Sequence, residues 1–186
     1  MPGMAQRSTV HRFELSVADM DRGHYATHAL TVARHPSETE ERMMLRVLAF
    51  GLFADASLAF GRGLSTDDEP DLWLRDATGA ITLWVDVGLP DEKWVRKACA
   101  RAARVVLIAY GGPRADAWWR QNAGALARFE HLTVLAVPPE ASRALGALAD
   151  RSVRLSCSIQ DGQAWVTTES GSVAVEPLVL RAAPAG

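Results

Sequence analysis

A chain of 186 residues, 48% of them hydrophobic, is long enough to bury one adequate core. Its net charge of −2, with 23% charged residues, excludes both a disordered chain and a protein that holds nucleic acid by bulk electrostatics. The most apolar stretch, residues 47–60, is too short and too interrupted to span a bilayer. Two distant cysteines, Cys99 and Cys157, favour buried thiols in a reducing compartment. We therefore expect a cytoplasmic protein with no membrane partner.

The first half of the chain predicts a β-hairpin, a helix and three short strands. Apolar and polar residues alternate over 11–18 and 25–33, with a turn between them, as in a half-buried hairpin. Ser37 and Glu40 suit a capping box for a helix that runs to about residue 54. Strands follow at 57–60, 72–75 and 81–87, and the last two are joined by a tight turn at 76–79.

The second half alternates helices and strands and then ends in strands. Asp91 caps a predicted helix, which is followed by a strand at 105–110. The remaining predicted elements are a helix at 115–129, a strand at 132–137, a helix at 141–149, and strands at 153–160, 164–168 and 173–176. With no repeat and no linker, the pattern indicates a single α/β domain over residues 10–181, with flexible termini at 1–9 and 182–186.

The densest acidic run in the chain spans residues 67–71, and most such runs are solvated loops. Two carboxylates have a more specific setting, because Asp71 starts one predicted strand and Asp86 ends the next. Antiparallel pairing brings those two ends side by side, and a suitable register points both carboxylates to the same face. Asp86 also interrupts an apolar run, and a buried carboxylate is costly unless it is paired or holds a cation. Since two aspartates with waters commonly hold Mg²⁺, the pair predicts a site for Mg²⁺ or Mn²⁺.

A second observation points to the same region of the chain. Against eighteen arginines there are only two lysines, Lys93 and Lys97, and both lie on the helix predicted after Asp86. Four residues apart, they share one helix face. A lysine beside a metal can steady a phosphate or lower the pKa of an attacking water. Two ordinary surface lysines that meet by chance are the plainer alternative.

Five runs of the chain carry a family resemblance: residues 18–22, 34–44, 63–73, 88–92 and 158–163. They resemble the YaeQ family of uncharacterised bacterial proteins, and the similarity covers nearly the whole chain. The resemblance implies a restriction-endonuclease-like fold related to the PD-(D/E)XK nucleases, in which helices flank a mixed sheet. Here the N-terminal hairpin and C-terminal strands are additions to that core. The expected order is a helix, a three-stranded antiparallel unit, a second helix and a further strand, which the pattern of residues 37–110 predicts independently.

In the nuclease pattern that the resemblance implies, Asp71 follows the proline of the "PD" pair and Asp86 is the second acid. The position two residues later, where the pattern has a lysine, holds Gly88. We therefore expect the lysine to come from the following helix, with Lys97 favoured and Lys93 second.

The resemblance also implies a glutamate from the first helix, for which Glu41 or Glu38 could serve, whereas Glu40 is assigned to the capping box. The predicted catalytic residues are thus Asp71, Asp86, Lys97, Lys93 and Glu41, and the predicted metal ligands are Asp71, Asp86 and Glu41.

Three functions remain open at this point. The first is a Mg²⁺-dependent nuclease that cleaves phosphodiester bonds by metal-activated water. The second is a binding or regulatory protein that kept the nuclease fold and lost the chemistry, which the displaced lysine and the weak basicity favour. The third is protein–protein contact through exposed aromatic surface, with a solvated acidic loop. Nucleic acid is the expected partner for the first two functions, and no particular protein partner is predicted.

Overall fold

A computed structural model describes residues 7–62 and 68–184. The strands are β1 Thr9–Asp19, β2 His24–Arg34, β3 Ala59–Phe60, β4 Leu72–Arg75, β5 Ile81–Val87, β6 Val105–Ala109, β7 Leu132–Ala136, β8 Ser152–Gln160, β9 Gln163–Thr168, β10 Gly171–Val175 and β11 Leu178–Arg181. The helices are α1 Glu40–Leu52, α2 Glu92–Arg101, α3 Pro113–Leu126 and α4 Pro139–Gly146.

The strands form two mixed sheets. The first, which we call the hairpin sheet, has the order β10-β9-β8-β1-β2, and only its β1–β8 pair is parallel. The second, the central sheet, has the order β11-β7-β6-β5-β4-β3. Its β5, β6 and β7 are parallel, and the other neighbours are antiparallel. The fold is therefore mixed α/β, as the sequence predicts.

Helix α1 lies between the two sheets. Its nine residues from 43 to 51 are all buried, which fits a helix that is apolar nearly all round. One core joins α1 to the inner faces of both sheets, and a second core joins the outer face of the central sheet to α2 and α3. Residues of β5 therefore alternate between the two cores, with Val85 and Val87 facing α1 and Trp84 facing α2.

Most predicted elements are present, and some bounds differ. The β1–β2 hairpin is confirmed, and β4 and β5 match the predicted strands at 72–75 and 81–87. The strand predicted at 57–60 is reduced to the two residues of β3. Strand β11 was not predicted, and the C-terminal strands β8 to β10 join the hairpin in one sheet. Sequence pattern cannot give such long-range pairing, because the paired residues lie more than 100 positions apart.

The capping box predicted for α1 is wrong. Thr39, not Ser37, caps the helix and accepts from the backbone N–H of Arg42 at 3.1 Å. The Ser37 hydroxyl instead lies 2.6 Å from His35 Nδ1, so it is engaged before the helix starts. Asp91 does cap α2, accepting from the backbone N–H of Trp94.

Other expectations concern the termini, the cysteines and membranes. Of the termini predicted to be flexible, residues 1–6 and 185–186 lie outside the described residues, as do residues 63–67. Cys99 and Cys157 are both buried free thiols, and burial raises the pKa of each to about 11. No helix in the described part of the chain is long and apolar enough to cross a membrane.

Candidate functional site

The two strand-borne carboxylates lie side by side, where β4 begins and β5 ends. Leu72 pairs with Val85 in antiparallel register, which places the preceding residue, Asp71, opposite Asp86. The backbone N–H of Asp71 donates to Asp86 Oδ1 at 3.2 Å. Both residues are buried, with 6% and 7% of their surface exposed. The structure thus brings the two predicted acids together at one end of the β4–β5 strand pair of the central sheet.

The carboxylate of Asp71 is bound by an arginine from α1. Arg42 Nη2 lies 2.9 Å from both Asp71 Oδ1 and Asp71 Oδ2, and 3.0 Å from the backbone oxygen of Val87. The backbone N–H of Val87 donates to Asp71 Oδ2 at 2.8 Å. Arg42 therefore places one positively charged nitrogen among three oxygens.

A second buried carboxylate holds this arginine in place. Glu38 Oε2 accepts from Arg42 Nη1 at 2.5 Å, and both Glu38 oxygens accept from Arg46, at 2.5 and 2.9 Å. Glu38 and Arg46 are 4% and 2% exposed. Burial lowers the pKa of Arg42, but the Asp71 and Glu38 carboxylates outweigh it and raise that pKa. We define Glu38, Arg42, Arg46 and Asp71 as the acid–arginine cluster; its charges are paired within the protein.

The carboxylate of Asp86 points the other way, toward α2, so the expectation that both carboxylates share one face is wrong. Its Oδ2 accepts from the indole N–H groups of Trp84 and Trp94, both at 2.7 Å. Desolvation raises the pKa of Asp86 to about 6, and the Asp71 carboxylate acts in the same direction. The two indole donors oppose that rise because they favour the ionised form. Asp86 is therefore a buried acid whose main partners are aromatic side chains.

As arranged, these residues do not fit a Mg²⁺ ion. All four carboxylate oxygens of Asp71 and Asp86 accept hydrogen bonds from protein donors. A cation that used Asp71 and the carbonyl of Val87 would meet Arg42 Nη2 in the same place. Among residues 7–62 and 68–184, no three His, Cys, Asp or Glu side chains converge on a point where they could hold one ion. A metal ion could bind here only if the guanidinium of Arg42 moved away from Asp71.

The other predicted site residues lie elsewhere. Lys97 Nζ forms an ion pair with Asp68 Oδ1 at 2.6 Å on the exposed side of α2. Lys93 is exposed on the same helix. Glu41 Oε1 accepts from the hydroxyl of Ser142 on α4 at 2.8 Å. Of the two glutamates considered, Glu38 is thus the one that contacts the arginine bound to Asp71, and Glu41 joins α1 to α4.

Sequence reasoning missed the partners of the two acids. Arg42 follows Glu38 by four residues, a spacing that was available in the sequence and that is typical of ion pairs on helices, although Glu38 itself lies two residues before the start of α1. Trp84 precedes Asp86 by two residues on one strand, so both side chains share a face. No local signal links Arg42 to Asp71, because 29 residues separate them.

Fold and site together define an α/β protein with two mixed sheets and a buried acid–arginine cluster at the start of β4. The family model described as YaeQ protein matches residues 4–177. The chain belongs to the YaeQ family.

Relatives and solved structures agree with this assignment. The chain is 44% identical over 172 residues to the "Uncharacterized protein YaeQ" of Escherichia coli K12, covering 92% of this chain and 95% of that one. The protein of the same description from Salmonella typhi is 43% identical over 173 residues, covering 93% and 96%. The crystal structure of a YaeQ protein from Xanthomonas axonopodis pv. citri superposes with a TM-score of 0.91 at 53% identity, covering 94% and 99%. That from Pseudomonas syringae gives 0.91 at 37% identity, covering 96% and 98%.

Proposed function

We propose that the chain is a nuclease-like protein that binds nucleic acid and has lost metal-dependent cleavage. Support for the nuclease-like relation comes from the order α1, β3, β4, β5, α2, β6, in which the three strands are antiparallel neighbours. The further strand, β6, then pairs with β5 in parallel. This is the order that the family resemblance implies for the restriction-endonuclease-like core, and it places Asp71 and Asp86 together.

The observation that carries the loss of cleavage is the position of Arg42. Its Nη2 contacts three oxygens, two from Asp71 and one from the backbone of Val87, within 3.0 Å. A guanidinium is permanently charged and cannot activate a water as a metal does. The side chain is only 16% exposed and is held by Glu38 as well, so displacing it is costly.

Binding of nucleic acid is supported by the charge on α2. The helix carries four basic residues and a single acid, Glu92, which is paired with Arg128. Since the whole chain has a net charge of only −2, this local excess is the basis on which phosphates would be held. Binding of this kind weakens steeply as salt is added.

A Mg²⁺- or Mn²⁺-dependent nuclease is the second candidate, and the closeness of Asp71 and Asp86 favours it. Two like-charged carboxylates in one buried place attract a cation, and the raised pKa of Asp86 reflects that mutual repulsion as well as burial. In this version the metal displaces Arg42, and Lys97 or Lys93 contacts the phosphate with Glu41 in support. The second candidate therefore requires Arg42 to move away from Asp71, whereas the first proposal does not.

One experiment separates the two functions. Purified protein is incubated with labelled single- and double-stranded DNA and RNA in Mg²⁺, in Mn²⁺ and in chelator, and both cleavage and binding are followed. We expect binding that persists in chelator and weakens with salt, without cleavage. Metal-dependent cleavage that disappears in Asp71→Asn and Asp86→Asn would establish the nuclease instead. Failure of the folded protein to bind any of the four nucleic acids at low salt would overturn the proposed binding function.

A further inference from the structure

Three tryptophans form a continuous row on the α2 side of the central sheet. The ring centroids of Trp73 and Trp84 lie 6.4 Å apart with the rings nearly perpendicular, and those of Trp84 and Trp94 lie 6.0 Å apart. Trp84 is fully buried, whereas Trp73 and Trp94 are half-buried. Because Asp86 Oδ2 accepts from both Trp84 and Trp94, the positions of these two rings are fixed by hydrogen bonds as well as by packing.

A positively charged side chain lies within 6 Å of each tryptophan ring of the row. Arg75 Cζ lies 3.9 Å from the ring centroid of Trp73, Arg101 Cζ lies 5.1 Å from that of Trp84, and Lys97 Nζ lies 5.6 Å from that of Trp94. The three cationic residues are exposed. We call these six residues the tryptophan–cation surface. Three exposed cations thus lie beside two half-buried rings, those of Trp73 and Trp94, and one buried ring, that of Trp84.

This surface already holds an anionic group of the protein itself. Asp68 Oδ1 lies 2.6 Å from Lys97 Nζ, and the backbone oxygen of Asp68 lies 2.6 Å from Arg101 Nη1. The Asp68 side chain is 79% exposed, so the ion pair is screened by water and can be exchanged at little cost. Two cations of the surface therefore converge on oxygen atoms of one residue, as they would on a phosphate.

The combination of groups favours one kind of ligand. Cations alone would suit any anionic polymer, but the half-buried rings of Trp73 and Trp94 beside the cations also suit flat bases, which stack on aromatic faces while arginine and lysine contact the phosphates. In a duplex the base faces are covered by neighbouring base pairs, so stacking on Trp73 or Trp94 requires unpaired bases. The ligand that uses every part of the surface is single-stranded nucleic acid.

We infer that the tryptophan–cation surface binds single-stranded nucleic acid, with phosphates held by Arg75, Lys97 and Arg101. Arg75 and Lys97, which lie over the rings of Trp73 and Trp94, move from the rings to the phosphates, and bases stack on the rings in their place. The inference rests on the proposed nucleic-acid binding and assigns it to this surface. It gives Asp86 the task of positioning the indoles, and it makes Asp68 a competitor that the phosphate replaces.

The test measures binding of labelled single-stranded DNA and RNA of 20 nucleotides by fluorescence anisotropy, at several salt concentrations, with the full chain. Arg75→Ala, Lys97→Ala and Arg101→Ala are combined in one test variant. The matched control combines Arg120→Ala, Arg143→Ala and Arg151→Ala, which remove three exposed arginines from other surfaces. A third variant, Asp68→Asn, removes the competing carboxylate. Circular dichroism verifies that each variant is folded.

We expect the test variant to bind at least about 10-fold more weakly, with the salt slope reduced by about 2, since each lost phosphate contact on a single strand lowers it by about 0.7. The control variant should bind within about twofold of the parent, and Asp68→Asn should bind more tightly. If the parent binds and the test variant loses no more affinity than the control variant, the ligand lies elsewhere. That result refutes this inference but leaves the proposed binding function standing. Tighter binding of a duplex than of its single strand also refutes it. Absence of binding by the parent refutes the proposed function as well.

Discussion

Replacing Arg42 by alanine tests whether a guanidinium stands where a metal would otherwise lie. The substitution removes the group that contacts Asp71, Glu38 and the carbonyl of Val87, while Arg46 still pairs with Glu38. Asp71 keeps the backbone N–H of Val87 but loses its only charged partner in the described part of the chain. Its buried carboxylate is then left without a compensating cation.

The expected loss of stability follows from this burial. Removing one partner of a buried ion pair costs about 3–5 kcal/mol, because the remaining charge stays desolvated. For a chain of this size, 1 kcal/mol corresponds to about 2–4 °C, so the melting temperature should fall by about 6–20 °C. The three oxygens that Arg42 leaves behind can then accept a divalent ion. At ten times its dissociation constant, Mg²⁺ would return about 1.4 kcal/mol to Arg42→Ala.

The assay is thermal and urea unfolding of the parent, Arg42→Ala and the control Arg120→Ala, each with Mg²⁺ and with chelator. Arg120 is exposed on α3, so its loss should leave the free energy of unfolding nearly unchanged. Mg²⁺ should raise the melting temperature of Arg42→Ala and leave that of the parent unchanged. A loss below about 1 kcal/mol in Arg42→Ala, the value of a surface pair, would refute the reasoning. So would a larger Mg²⁺ effect on the parent than on the variant.

Three further predictions concern stability. First, the pKa of Asp86 is raised to about 6, so between pH 4 and pH 6 the folded state binds more protons than the unfolded state, and stability falls as the pH rises. Urea titrations should show the parent losing about 2 kcal/mol relative to Asp86→Asn over that range, and a parallel pair of curves would contradict this. Second, Glu38→Gln should cost about 3 kcal/mol in urea unfolding, since buried Arg46 and half-buried Arg42 both pair with Glu38. Exposed Glu40→Gln should cost little, and equal losses would count against the cluster. Third, Gly146→Ala should destabilise by about 1–3 kcal/mol, because its Cβ would lie 3.0 Å from the Cα of Glu41. Gly124→Ala on α3, where a Cβ meets nothing within 4 Å, should instead gain about 0.5–1 kcal/mol, and similar effects at both glycines would refute the close α1–α4 contact.

Local pattern was sufficient for most of the secondary structure. The alternation in residues 11–18 and the apolar run ending at Asp86 each specify a strand, because side chains on a strand alternate between two faces. Asp91 could be predicted as a cap because an aspartate just before a helix can accept from a free backbone N–H of the first turn, and in the structure it accepts from that of Trp94. The cap of α1 was missed since two hydroxyl residues precede that helix, and the contact of Ser37 with His35 decides between them.

The sequence by itself also predicted that the strand ends that carry Asp71 and Asp86 would lie side by side, because a tight turn favours an antiparallel pair. It left the register open, and in the structure the register shifts between Leu74 and Arg75. What surrounds each acid was decided only by the tertiary structure. Arg42 reaches Asp71 because α1 is held between the two sheets, and Trp94 reaches Asp86 because α2 covers the opposite face of β5. Such contacts depend on how separate elements pack, which no spacing along the chain encodes. A buried carboxylate requires compensation, but whether a metal, a guanidinium or an indole supplies it is settled by the fold.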